Sequence, residues 1–195
     1  MSNDLSIKFD ASEIVRFANR MAGMNAPLIM GRAINHTGAK VKTAVIRELT
    51  KQTGLSRKVI VKAVKTRNAS YTKEGGGDGW RLYTRGGDIS YKYFKPCETR
   101  AGVVVSPAGH RMVLTHAFFK GGQFPNRVTL SKGGGHVFAR AGKGRLPIVK
   151  QVSDVSIPKS LVSAATVQAF NNIISTDLEK RVEHEINYAL QTGGF

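Results

Sequence analysis

The sequence has a single cysteine, Cys97, so no disulfide can close within the chain. That fits a reducing compartment, although chains without disulfides also work outside cells. Carboxylates are scarce, 13 Asp and Glu against 30 Lys and Arg over 195 residues. Glu48, Glu74, Asp78, Asp88 and Glu98 form no recognisable set for acid–base work or for a metal-dependent nuclease. No apolar run approaches the roughly 20 residues that a membrane helix needs. The opening Met-Ser-Asn-Asp-Leu-Ser lacks a basic stretch followed by an apolar one, so no secretory leader is expected. A soluble protein made in the cytoplasm is expected.

Chemical motifs are also missing. The Gly142-Lys143 pair lacks the glycine that a phosphate loop requires five residues before Gly142. The Gly133-Gly134-Gly135 run resembles a phosphate cradle only in its glycine content. His36, His110, His116, His136 and His184 make neither a helical i, i+4 pair nor an HExxH pattern. His184 stands between Glu183 and Glu185, and adjacent helical residues point in different directions. Ser106 and Ser131 are not in a nucleophile elbow. The expectation is a protein that is not an enzyme, with no catalytic, metal or cofactor-binding residues and no cofactor.

What is present is enough apolar material for a core, at 41% of the chain, and a large positive charge. The formal net charge is +17 and the isoelectric point lies near 10.4. From Arg32 to Lys150 there are 24 Lys and Arg against 5 Asp and Glu, while the two flanks together carry 6 against 8. A basic block between near-neutral ends attracts polyanions, or faces acidic surfaces on neighbouring proteins. Charge alone does not separate these two readings.

The order of patterns predicts an α+β fold, with an antiparallel sheet and long N-terminal and C-terminal helices packed on it. One domain over 1–195 is expected, in four stretches: an N-terminal strand and helix arm (1–24), a long helix (25–54), a basic sheet region with loops (55–155) and a C-terminal helix (156–195). In the first stretch, Leu5, Ile7 and Phe9 alternate as a strand would, and a helix is expected from Ser12 to about Gly23. In the second, Leu28, Ile29, Ile34, Val41, Val45 and Leu49 lie on one helical face, and Gly54 is placed to end the helix. Ser56 can cap a short helical turn, after which Val59, Val61, Ala63 and Lys65 begin to alternate. Strands are expected at 80–84, 89–94, 103–106 and 111–114, then a hairpin from 136–140 to 146–152 around Gly142-Lys143-Gly144. Glycine-rich loops are expected at 73–79 and 121–135. Pro158 opens a final helix whose apolar side runs through Leu161, Phe170, Leu178, Val182, Ile186 and Leu190.

One stretch supports a rival function. Leu49 to Val64, with a glycine turn at Gly54, a capping Ser56 and basic Arg57, Lys58 and Lys62, looks like a helix-turn-helix. Its first helix is much longer than usual for that unit, and no third helix follows. Basic and aromatic residues also interleave in Tyr91-Lys-Tyr93-Phe94-Lys95, which could stack bases. An amphipathic strand with a solvated lysine row is the simpler reading.

Four ordered stretches resemble the minor tail protein Z family, the tail-completion proteins of lambda-like long-tailed phages and prophages. They are Arg32 to Val45 running into Lys51-Gln-Thr-Gly-Leu55; Ile89-Ser-Tyr-Lys-Tyr-Phe-Lys-Pro-Cys-Glu-Thr-Arg100; His116-Ala-Phe-Phe119; and Gly134-Gly-His-Val-Phe-Ala-Arg140, continued by Gly142 to Ile148 and Ser156-Ile-Pro158. Together they span about residues 30 to 160. Where family members tend to have a Gly-Pro turn, this chain has Ser153-Asp154-Val155.

The resemblance implies a structural virion protein at the head-proximal end of a phage tail, a ring subunit that joins tail to head. It implies self-association, with sixfold symmetry most natural, and contacts with tail terminator or tail tube proteins and with head-closure or connector proteins. Genomic DNA passing through without sequence preference is a further partner; a membrane is not. On this reading Gly75, Gly76, Gly77, Trp80, Phe124, Gly133, Gly134 and Gly135 are the expected interface residues, in loops that order on docking. Arg57, Lys58, Lys62, Lys143 and Arg145 are the candidates for contact with DNA in a lumen.

Overall fold

The computed structural model describes residues 2–6, 26–71, 77–123, 125–130 and 133–192. Its elements begin with β1 (Ser2–Ser6), α1 (Ala26–Thr53), α2 (Arg57–Ala63), β2 (Val64–Arg67), β3 (Ser70–Tyr71), β4 (Gly77–Asp78) and β5 (Arg81–Arg85). There follow β6 (Asp88–Ser90), a 3₁₀ turn (Tyr91–Phe94), β7 (Cys97–Thr99), β8 (Gly102–Val105), β9 (Met112–Thr115), β10 (Ala117–Phe118) and β11 (Lys120–Gly121). The last group is β12 (Val128–Thr129), β13 (Phe138–Arg140), β14 (Ile148–Lys150), β15 (Val152–Ser156), α3 (Ile157–Leu161), α4 (Ala164–Ile173) and α5 (Glu179–Gln191). Every strand pair whose register is resolved is antiparallel, so the fold class is α+β.

These elements form two compact units, each discontinuous in sequence. One contains Ser2–Glu48, Val64–Thr84 and Leu161–Phe195, and the other Leu49–Ala63 and Arg85–Ser160. The first is called the helical unit below, and the second the basic unit. Charge divides between them very unequally. The basic unit holds 17 Lys and Arg against 3 Asp and Glu, and the helical unit 13 against 10.

The helical unit pairs β1, β5 and β2 in that order, with Val64 opposite Thr84 and Arg67 opposite Arg81. Within α1, Ile29, Ala33, Ile34, Val41 and Val45 are buried at steps of one to seven residues along a single helical stripe. Gly38 belongs to that stripe because Trp80 occupies the space beside it. A Cβ on Gly38 would stand 2.5 Å from the indole. Asn35 reaches out of the helix and closes two hydrogen bonds with the backbone of Ala69, donating to its carbonyl at 3.0 Å and accepting its N–H at 2.7 Å. The same unit contains an ion pair from α1 to the C-terminal helices, Lys40 to Asp177, and Thr37 donates to Asp177 at 3.4 Å.

The C-terminal helix expected from Pro158 is segmented. It breaks after Leu161 and restarts at Ala164, where the Ser163 side chain accepts the Thr166 N–H as an N-cap. A π-helical turn, Ile174–Leu178, then separates α4 from α5. The expected apolar face drifts accordingly. Steps of four residues overrun a helix that turns every 3.6, so Val182, Glu185 and Ala189 are buried while Leu190 is half exposed. Buried Glu185 is neutralised by Arg181 one turn earlier.

The end of α1 is as expected. Gly54 has φ +69°, and a Cβ there would press on the backbone of Gly109, at 2.9 Å. The alternation beyond it misled: Val59 to Ala63 belong to α2, a helix with Ile60 buried, and strand geometry begins only at Val64. The strand expected over 89–94 is likewise cut short at Ser90. Tyr91 and Phe94, three residues apart, are both buried with ring centroids 6.3 Å apart, and a 3₁₀ turn puts such a pair on one side. The lysine row of an amphipathic strand therefore does not exist there.

The loop expected over 121–135 contains a short ladder, Lys120 opposite Thr129 and Gly121 opposite Val128. Of the 73–79 loop, Gly77 and Asp78 form β4 against β3. The predicted 136–152 hairpin is present as β13 and β14, with Ala139 opposite Val149. Ser153-Asp154-Val155 lie within β15, paired with β6. The helix expected over 12–23 lies outside the described residues.

Candidate functional site

The basic unit exposes apolar side chains on two sheet edges. One sheet runs β7–β8–β9 and the other β10–β13–β14, which leaves β9 and β14 as outer strands. Inside the first sheet Val103 and Val105 are fully buried, as alternation over a core demands. On β9, Met112 opposite Val105 and Val113 opposite Val104 are 40% and 46% exposed, and on β14 Ile148 and Val149 are 39% and 50% exposed. Soluble proteins usually protect such edges with charge, proline or a covering segment. Here only Lys150 supplies a charge on β14, and none lies within β9.

Ends of these sheets and their turns build a basic groove of about 940 Å³. Its cations come from strand ends and turns: Arg100 at the tip of the β7–β8 hairpin, Arg127 before β12, Arg140 ending β13, and Lys143 in the β13–β14 turn, with His116 between β9 and β10 also lining it. The β7–β8 tip is tight. Thr99 donates its hydroxyl to the Gly102 carbonyl at 2.9 Å, and Gly102, at φ +138°, leaves no room for a Cβ, which would fall 2.2 Å from the Leu114 carbonyl oxygen. Arg127 is ion-paired with Glu98, whose carboxylate also accepts the Lys120 backbone N–H at 3.0 Å. Glu98 is almost wholly buried, so this pair fixes the groove wall to β7. Arg140 and Lys143 are exposed and make no ion pair with a described acidic residue.

A second concavity of the same unit, about 560 Å³, holds Ser90, His136, Tyr93 and Lys150. Ser90 Oγ and His136 Nδ1 are 2.8 Å apart. A serine on an imidazole is the first half of a nucleophile and base relay. The surroundings do not complete it. Burial, then the ammonium groups of Lys150 and Lys92, push the His136 pKa below its ordinary value. An orienting carboxylate would do the opposite, stabilising the imidazolium that forms when a serine is deprotonated. Ser90 is itself buried in β6, paired with Val152 of β15. The neutral ring and the hydroxyl thus lock two segments of chain together.

The sequence-predicted residues fall in several places. Trp80 corrects the expectation most clearly. It is 2% exposed in the core of the helical unit, held there by the space above Gly38, and is no exposed contact residue. Gly75, Gly76 and Phe124 lie outside the described residues, and Gly77 is a backbone partner of Tyr71. Gly133, Gly134 and Gly135 form the turn leading to His136, with Gly134 and Gly135 at positive φ. Arg57, Lys58 and Lys62 are exposed on α2. Lys143 lines the basic groove, and Arg145 is exposed two residues beyond it. Sequence reasoning missed Arg100, Arg127 and Arg140. Each stands alone between unrelated neighbours, and only the sheet registers bring them together.

Among the described residues no group of three His, Cys, Asp or Glu side chains is placed to hold a metal ion, and no helix is long and apolar enough to cross a membrane. No family model, curated protein or solved structure matches the chain.

Proposed function

We propose that this chain is a structural assembly protein of a long-tailed phage, a tail-completion subunit that forms a homo-oligomeric ring at the head-proximal end of the tail. The observation that carries the self-assembly part is the pair of exposed apolar edges on the basic unit, β9 with Met112 and Val113 and β14 with Ile148 and Val149. Two different edges on one subunit suit a heterologous contact, in which one edge of a copy meets the other edge of the next. Repeated around an axis, such contacts close a ring. The placement of the ring in a phage tail rests on the four ordered stretches that resemble the minor tail protein Z family. Sixfold symmetry, docking to tail tube or terminator proteins and to head-closure proteins, and a role as binder rather than catalyst belong to this reading.

The helix-turn-helix alternative has α1, the turn at Gly54 and exposed Arg57, Lys58 and Lys62 on α2 in its favour. Against it, α2 has only 7 residues and passes directly into β2. A recognition helix needs a supporting scaffold of helices that this segment lacks.

The test is negative-stain microscopy of tails assembled with and without this protein, scored for joining to heads. Full-length tails that fail to join heads in its absence support the assignment. Normal tails and normal joining would overturn it.

A further inference from the structure

We infer that the groove formed by Arg100, His116, Arg127, Arg140 and Lys143 is a binding site for the phosphodiester backbone of nucleic acid, read without regard to sequence. Three observations converge on it. The site is concave and of substantial size, about 940 Å³, rather than a scatter of surface charge. Two of its cations, Arg100 and Arg140, are exposed arginines, and a planar arginine fork engages two oxygens of one phosphate; Arg127 instead holds the groove wall through Glu98 and the Lys120 carbonyl. The third is the fate of the nearby carboxylates. The basic unit has only Asp88, Glu98 and Asp154. Glu98 is consumed by Arg127 and by the Lys120 N–H. Asp88 lines the separate concavity beside Ser90, and Asp154 lies close enough to Tyr91 to act on its hydroxyl. Arg140 and Lys143 therefore face the groove without a described acidic partner.

The choice of nucleic acid over an acidic protein follows from the surrounding charge and from the groove lining. The unit carries 17 cations against 3 anions, and the free energy of releasing condensed counterions is available only from a densely charged polyanion. A docking site for a folded acidic partner would pair the cations with a deep apolar pocket for an anchoring side chain. The apolar side chains in the lining are Ala101, Ala117 and Phe118, beside the Gly102 and Gly142 backbone, and none of them forms a deep pocket for an anchor. That lining offers no row of exposed aromatic faces on which bases would stack, so the contact is with the backbone. This site is complete within one subunit and does not depend on ring formation or on the tail assignment.

The test uses the purified full chain and labelled oligonucleotides of about 20 nucleotides, duplex and single-stranded, followed by fluorescence anisotropy across a salt series. The double variant Arg140→Gln/Lys143→Gln is compared with Arg57→Gln/Lys58→Gln, which removes the same charge from α2. Both pairs are exposed, and circular dichroism checks that each variant stays folded. The groove variant is expected to weaken binding about tenfold or more and to lower the magnitude of the salt slope by about 2. The α2 variant is expected to change affinity by less than about threefold, and a scrambled oligonucleotide to bind equally well. Equal losses from both variants would show diffuse attraction and overturn the proposal. So would an unaffected groove variant, or polyglutamate competing as well as DNA at equal charge concentration.

Discussion

Ser90 Oγ and His136 Nδ1 stand 2.8 Å apart, tying β6 to the turn that follows Gly133-Gly134-Gly135. The bond joins two of the stretches that looked family-like in sequence, although 46 residues separate them. Ser90→Ala leaves the ring nitrogen without its partner and should cost about 1–2 kcal/mol in chemical denaturation. The pH dependence has a definite sign. The folded-state pKa of His136 is depressed, so the stability it contributes is present above the unfolded value of about 6.5. That stability is lost as pH falls through the folded value. Wild-type melts between about pH 7.5 and 5 should show a decline that His136→Phe reduces, and an unchanged profile would remove His136 from this role.

Gly38 sits against the indole of Trp80, which is 2% exposed. Gly38→Ala raises helix propensity yet should lower stability by about 1–3 kcal/mol through overpacking. Gly87→Ala, where a Cβ meets nothing within 4 Å, is the matched control. Calorimetry should show a fall of roughly 3–10 °C in Tm for the first variant and little change for the second.

Asp177 titrates below its ordinary value, first because Lys40 donates to it and then because the Lys40, His36 and Thr37 interactions outweigh its desolvation. A depressed carboxylate contributes stability above its unfolded value, about 3.9, and loses it as pH falls through the folded value. Asp177→Asn should therefore be less stable than wild type at pH 7, and the two should converge as pH falls through the folded value. Acid titration followed by circular dichroism measures both curves. Persistence of the gap at low pH would assign the effect to packing.

If the β9 and β14 edges meet in a ring, a charge placed on one of them should break it while sparing the fold. Val149→Lys is half exposed in the subunit and should weaken self-association by about tenfold or more in sedimentation velocity. Val61→Lys, on exposed α2, should leave it unchanged.

Periodic elements were legible in the sequence and convergent ones were not. The repeat of Ile29, Ala33, Val41 and Val45 and the stop at Gly54 give α1 almost to the residue, because helix period and C-terminal glycine chemistry are local. The β13–β14 hairpin was legible for the same reason. Short segments failed where tertiary burial overrode pattern. Ile60 pulls an alternating stretch into a helix, and Tyr91 with Phe94 turns an expected strand into a 3₁₀ turn. Trp80 looked like a docking residue because its role depends on a missing side chain 42 positions away, at Gly38. The groove was invisible for a related reason. Arg100, Arg127 and Arg140 have no spacing in common, and the registers of β7–β8, β10–β13 and β11–β12, with the Arg127–Glu98 ion pair, are what assemble them.

The discontinuous build of the helical unit also orders events during synthesis. Lys40 leaves the ribosome 137 residues before Asp177, the partner that closes α1 onto the C-terminal helices. The whole of Arg85–Ser160 is made in that interval. The nascent basic unit therefore has its complete sheet sequence available while α1, although Trp80 is already made, still waits for the C-terminal helices. Closure of α1 onto the C-terminal helices is thereby a late step, governed by closure of a long loop and by contacts of high sequence separation. Until that closure, the side of α1 around Thr37 and Lys40 is open to holding chaperones and to premature association with other chains.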